Sequence, residues 1–187
     1  MQADWEVEIG GDAPIIETQW PGFVDLRKQP EKAASLPESG QLPDLALALV
    51  RLNHSALWTS KCDVWPVVEF DRDELDAPRQ AAAAMACYID LLPGDSELWP
   101  DPERAISWCR NLCAHLQGVP LRSCRTDLVI RRAIAPPEPN ALGITAYLTA
   151  SGIDLSDACS RLQSAVAAFA DAVVDSLSRA WIRSSLQ

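Results

Sequence analysis

Trp5-Glu6-Val7-Glu8-Ile9 alternates apolar with acidic residues, the period of two expected of a strand with one wet face. Gly10-Gly11-Asp12 supplies a tight turn, and Ile15 to Trp20 resumes as a second strand, so the pair predicts a hairpin. Residues 27–41 are polar, with Pro30, Pro37 and Gly40, and read as a surface connection. Pro43 and Asp44 then open a helix whose stripe is Leu45, Leu49 and Leu52 and which ends near His54. Ala56 to Phe70 has strand composition, and Ala82 to Leu92 is its expected partner, although four alanines keep a helix open there. Asp71–Gln80 between them is charged.

Asp101-Pro102-Glu103 starts a helix strongly: a cap, a proline at the first helical position, and an acid near the positive end of the dipole. Ile106, Cys109, Leu112, Cys113 and Leu116 mark its inner face, and Gly118 with Pro120 closes it. Leu121–Ala133 and Leu142–Ala150 read as a hairpin around Pro136-Pro137. Asp154 with Asp157 caps a last helix reaching about Arg183, with Leu155, Cys159, Leu162, Val166, Phe169, Val173 and Leu177 at helical spacing.

These elements predict one α+β domain over residues 1–187. The expected architecture is an antiparallel sheet of about six strands with three helices on one face, in ββα-ββα-ββα order. Within that order, a β-α-β-β-α-β core resembles the ferredoxin-like superfold, a likeness of architecture that says nothing about function.

Composition narrows the class. An apolar share of 48% and a charged share of 22% are ordinary for a globular chain. No basic, apolar leader is visible, and the longest apolar run, Ala81–Ile89, is too short to cross a bilayer, so no membrane role is expected and the cytoplasm is the expected place. The net charge of −10 argues against general nucleic-acid binding, which needs bases to neutralise phosphates. Six cysteines scattered over strands and helices read as reduced core residues rather than disulfides or a metal cluster. Seven tryptophans, including Trp181, are spread over every element and read as packing or interface anchors.

Candidate chemistry is sparse. There is no Gly-rich phosphate loop, no nucleophile elbow, no zinc-binding histidine pair and no paired C-x-x-C. His54 and His115 both fall at helix C-termini, where a cation suits the dipole. Glu69, Asp71, Asp73, Glu74 and Asp76 imitate part of a calcium loop. Asp76, however, stands where that loop needs glycine and the twelfth-position Glu is missing, so a solvated loop is expected and no metal site is assigned.

The polar half of the sheet is the remaining candidate. If Cys62, Cys87 and Cys124 face the helices, alternation turns Lys61, Asp63, Tyr88, Asp90, Arg125, Asp127 and Arg131 to the other face, joined by Tyr147 and Thr149. Opposite charges across strands make a solvated face an ordinary outcome. The expectation is therefore a binding or assembly module without catalytic activity or cofactor, acting through this face or the last helix. Its expected partner is a protein or a second copy in a homodimer. The alternative is a small-molecule binder or enzyme with Asp90 and Asp127 as an acid/base pair and Arg125 and Lys61 holding an anion.

Overall fold

The computed structural model describes residues 1–18, 20–95, 98–135 and 138–184, the side chains of 138–140 and 179–184 excepted. Strands β1 (Gln2–Glu8) and β2 (Ile16–Glu17) come first. A 3-10 turn over Pro30–Ser35 and the short helix α1 (Pro37–Gln41) follow, then α2 (Pro43–Asn53). Next are β3 (Leu57–Val67), β4 (Ala83–Pro93), α3 (Pro102–Gln117), β5 (Cys124–Ala135), β6 (Glu138–Gly152) and α4 (Leu155–Ser184). The chain is α+β, with the strands in one six-stranded mixed sheet of order β1-β5-β6-β4-β3.

Several expectations are corrected here. The sheet is not purely antiparallel: β1 runs parallel to β5, Gln2 beside Arg125 through Glu8 beside Arg131, while β5, β6, β4 and β3 alternate. Nor do β1 and β2 form a hairpin. After the turn at Gly10 the chain continues in the same direction, and Ile16–Glu17 pairs parallel with Ala133–Ile134 further along the same edge of β5. Periodicity marks a strand but not its partner, and here the partner is over a hundred residues away. The ferredoxin-like core is lost with this order, because β6 takes the central place between β4 and β5 that β2 would hold, and β2 sits on the outer edge of β5 instead. The polar 27–41 connection is partly helical and is anchored by buried Ala33 and Ser39.

The rest follows local chemistry. Asp101 Oδ1 accepts from Arg104 N at 2.8 Å, as a cap before a Pro-first helix should. Asp154 Oδ1 accepts from Asp157 N at 2.8 Å, while Asp157 Oδ2 accepts from Ile153 N at 3.0 Å, a reciprocal cap for α4. At 30 residues α4 is about 45 Å long, and Leu162, Val166, Phe169 and Val173 are fully buried along it. Helices α2, α3 and α4 all pack on one face of the sheet, over Cys87, Ile89, Leu128, Ile130, Ala146 and Leu148. The Pro136-Pro137 turn and the Ala180–Trp181 extension of the α4 stripe lie outside the described residues and side chains.

No helix among the described residues is long and apolar enough to cross a membrane.

Candidate functional site

The face away from the helices is shaped by one irregularity in β3. Thr59 pairs with Leu91 and Cys62 with Ile89, so Ser60 and Lys61 both oppose the single residue Asp90. Such a bulge crowds two side chains onto one face and increases local twist. Ser60 uses its place to donate from Oγ to the Glu17 carbonyl at 2.8 Å. β3 is one edge of the sheet and β2 the other; held flat, they would stand roughly 19 Å apart at ordinary strand spacing. The sheet therefore curls at this end until its two edges meet, and the face becomes concave.

A small core fills the closed end. Ile16, Trp58, Leu92 and Ala133 are buried together, with Phe23 against them. Gly143 has no side chain for a steric reason: a Cβ there would stand 2.8 Å from Ile16 Cδ1 and 3.0 Å from the Leu91 carbonyl. Trp20 and Phe23 meet edge to face at 6.0 Å, and Phe23 and Trp58 at 6.2 Å. Residues 20–23 thus cap the end of the concavity.

A polar chain crosses the floor. Arg131 forks onto Glu8 Oε2, donating from Nε at 3.0 Å and Nη2 at 2.7 Å. Its Nη1 donates to Thr145 Oγ1 at 3.2 Å and to Tyr147 Oη at 3.0 Å. Thr145 Oγ1 in turn donates to Asp90 Oδ1 at 2.6 Å. Because arginine can only donate, the threonine hydroxyl proton is directed at the carboxylate. Asp90 is 6% exposed, and burial raises its pKa against the hydrogen bond from Thr145 and the positive charges of Arg131 and Lys61.

Beside Asp90 stands a row of rings. Trp65, Tyr88 and Tyr147 lie on adjacent strands β3, β4 and β6, with centroids 6.2 Å and 6.0 Å apart. Burial, then the nearby Asp90 and Asp63 carboxylates, push the Tyr88 phenol up to about 12.

The expected face is thus populated by Lys61, Asp63, Tyr88, Asp90, Arg131 and Tyr147, but not all candidates converge. Asp127 lies beside Tyr147 in register while Asp90 lies beside Thr145, and the whole of β6 separates their strands. Asp127 is gripped by Arg125, whose Nε donates at 2.8 and 2.9 Å, and both border an open depression of about 220 Å³ with Asp4 and Glu6. Asp90 and Asp127 are therefore not in contact and do not form an acid/base dyad of the kind that shares a proton. Arg125 is likewise committed to Asp127 rather than set beside Lys61.

Cys62, Cys87 and Cys124 face the helices with Cys109 and Cys113, and burial raises all five thiols, Cys62 and Cys113 to about 12 and Cys124 to about 11. In the acidic run, Asp71 Oδ1 accepts from its own loop, Asp73 N at 2.8 Å and Glu74 N at 3.4 Å. His54 Nδ1 lies 2.7 Å from the Val50 carbonyl at the end of α2.

Compared with known proteins, the chain matches no family model, no curated protein and no solved structure. The site rests on its own geometry. Sequence reading missed Glu8, Ser60, Trp65 and Thr145. Alternation from Asp63 would have placed Trp65 on this face, and alternation from Tyr147 would have placed Thr145. Nothing local announces the bulge that aims Ser60.

Proposed function

We propose that this chain is a non-catalytic binding module whose concave sheet face is its working surface. One observation supports this above the others: the Arg131–Thr145–Asp90 chain runs across the floor of a curved face, next to the ring row of Trp65, Tyr88 and Tyr147. A few oriented polar groups among apolar walls, at the end of a closed sheet, is the usual make-up of a small-molecule site. A merely solvated face has no need of a carboxylate buried to this degree.

The enzyme alternative, with Asp90 and Asp127 as acid and base, draws less support, since β6 lies between them. Assembly through α4 also draws less, because its apolar stripe from Ala158 to Leu177 is buried in the chain's own core. A homodimer is then an added property rather than the carrier of function.

The test is a fragment screen by protein-observed NMR with anionic, neutral and cationic members. Expected are shifts clustered on Tyr88, Asp90, Thr145 and Tyr147, and their loss in Tyr147→Ala for the same fragments. Shifts scattered over the helical side, or none on the sheet face, would rule this reading out.

A further inference from the structure

The ring faces on the concave side are used unevenly. The Arg27 guanidinium sits 4.1 Å from the Trp58 centroid, Lys61 Nζ 5.8 Å from Trp20, and the Arg131 guanidinium 5.6 Å from Tyr147. Among the described residues no cation of the chain lies over Tyr88 or Trp65, although these two touch each other in the middle of the face. Yet they have the carboxylates beside them. Asp63 is the cross-strand partner of Tyr88, and Asp90 is two residues along β4 on the same face, about 6.7 Å away along the strand. One Asp90 oxygen is held by Thr145, and among the described residues the second has no hydrogen-bond partner. The positive groups nearest to it are engaged elsewhere, Arg131 with Glu8 and Lys61 over Trp20.

A buried carboxylate with an uncommitted oxygen, next to electron-rich ring faces that lack a cation, lacks one component. A hard metal ion does not complete it, since such ions seek six or more oxygen ligands and Asp90 offers one. An anion is opposed by Asp63 and Asp90 together. An organic ammonium fits both halves: its N–H donors satisfy the carboxylate, and its positive charge and C–H groups lie against the ring faces.

We propose, resting on the reading of this face as a ligand site, that its ligand class is a small organic ammonium ion, with the nitrogen on Asp90 and the body of the molecule against Tyr88 and Trp65. Lys61 stands opposite Asp90 across the bulge, so its like charge opposes an ammonium bound there, which gives the proposal a distinctive sign: removing that charge strengthens binding.

Three probes of one shape test this: benzylammonium, benzyl alcohol and benzoate, titrated by NMR or calorimetry into the whole chain. Expected is benzylammonium binding at least about tenfold tighter than the other two, which is about 1.4 kcal/mol. Asp90→Asn, close to isosteric, removes that preference and leaves the alcohol unchanged. Lys61→Met, a change at a partly exposed site, tightens benzylammonium several-fold. Equal binding of ammonium and alcohol, with equal loss in Asp90→Asn, overturns the ammonium assignment while leaving the face a binding site. Preferential benzoate binding that weakens in Lys61→Met overturns it in favour of an anion. If no probe binds, the assignment falls, and the broader fragment screen decides separately whether the face binds anything.

Discussion

Asn53 and Thr59 hold each other twice: Asn53 Nδ2 donates to Thr59 Oγ1 at 2.7 Å, and Thr59 N donates to Asn53 Oδ1 at 3.1 Å. The same Nδ2 also donates to the Leu49 carbonyl at 2.8 Å, so one buried amide ties the end of α2 to the start of β3. Thr59 is the last residue in register before the bulge, which makes this clamp the fixed point from which Ser60 and Lys61 turn.

Asn53→Ala leaves the Thr59 N–H and hydroxyl buried without partners. Each orphaned group costs about 1–3 kcal/mol, so a loss of about 3 kcal/mol is expected in urea unfolding. The variant should also weaken any ligand bound at Asp90, because the bulge loses its anchor. A loss below 1 kcal/mol would mean that water takes over the clamp.

Asp90 gives stability a recognisable pH dependence. Its folded-state pKa lies above the ordinary 3.8, with burial as the cause. The native state therefore holds this proton to higher pH than the unfolded chain, and stability falls as pH rises from the unfolded value to the raised one. Asn lacks the titration but still accepts from Thr145. The stability advantage of Asp90→Asn over the parent should thus grow with pH across that window and then level off. Asp25, held low by Arg27, contributes the opposite slope to both proteins and cancels in the difference. Urea midpoints measured from pH 4 to 8 provide the check; a difference independent of pH contradicts it.

Gly152 is where β6 ends, just before α4. A Cβ there would run into Ala158 N and stand 2.8 Å from the Asp157 carbonyl carbon, both backbone atoms of the first turn of α4. Gly152→Ala is expected to cost about 3 kcal/mol, because a helix start has to move to make room. Gly40→Ala, with nothing within 4 Å, is the control and should be neutral or mildly stabilising. Thermal melts of the two variants side by side decide this.

The cysteines should react in order of burial. Cys87, Cys109, Cys113 and Cys124 are buried and Cys62 and Cys159 partly so, with no disulfide among them. With burial holding five thiols in the unreactive protonated form, Cys159, partly exposed near the start of α4, should be the first labelled by a thiol reagent at pH 8. Peptide mapping after brief labelling tests the order, and rapid labelling of Cys87 would point to opening between the sheet and helices.

Where a structural feature is written in neighbouring residues, the sequence was a sufficient guide. Asp101 before Pro102, and Asp154 before Asp157, each marked a helix start within one residue, because a cap is satisfied by its own first turn. The strand β4 was harder to read, since Ala84, Ala86 and Leu92 are buried on the concave side as Cys87 and Ile89 are on the other, which erases alternation. Alternation did sort the faces of β5 and β6. Distance within a face is another matter: that Asp90 and Asp127 are not neighbours follows from strand order, set here by β6 pairing with both β5 and the more distant β4, where Thr145 lies beside Asp90 across 55 positions. The bulge at Ser60 and Lys61 is likewise legible only once β4 lies alongside.

The pairing of β1 with β5 has a consequence for the nascent chain. Glu8 meets Arg131 across 123 positions, so β1 is made well before the strand it pairs with. Until β5 has been synthesised, residues 2–8 are an unsatisfied edge, the kind of segment that recruits other chains. Asp4, Glu6 and Glu8 make copies of that segment repel one another during the wait. When β5 arrives, Arg131 takes Glu8 as its counter-ion, so a charge that keeps the unfinished chain solitary becomes the outer link of the polar chain that orients Asp90.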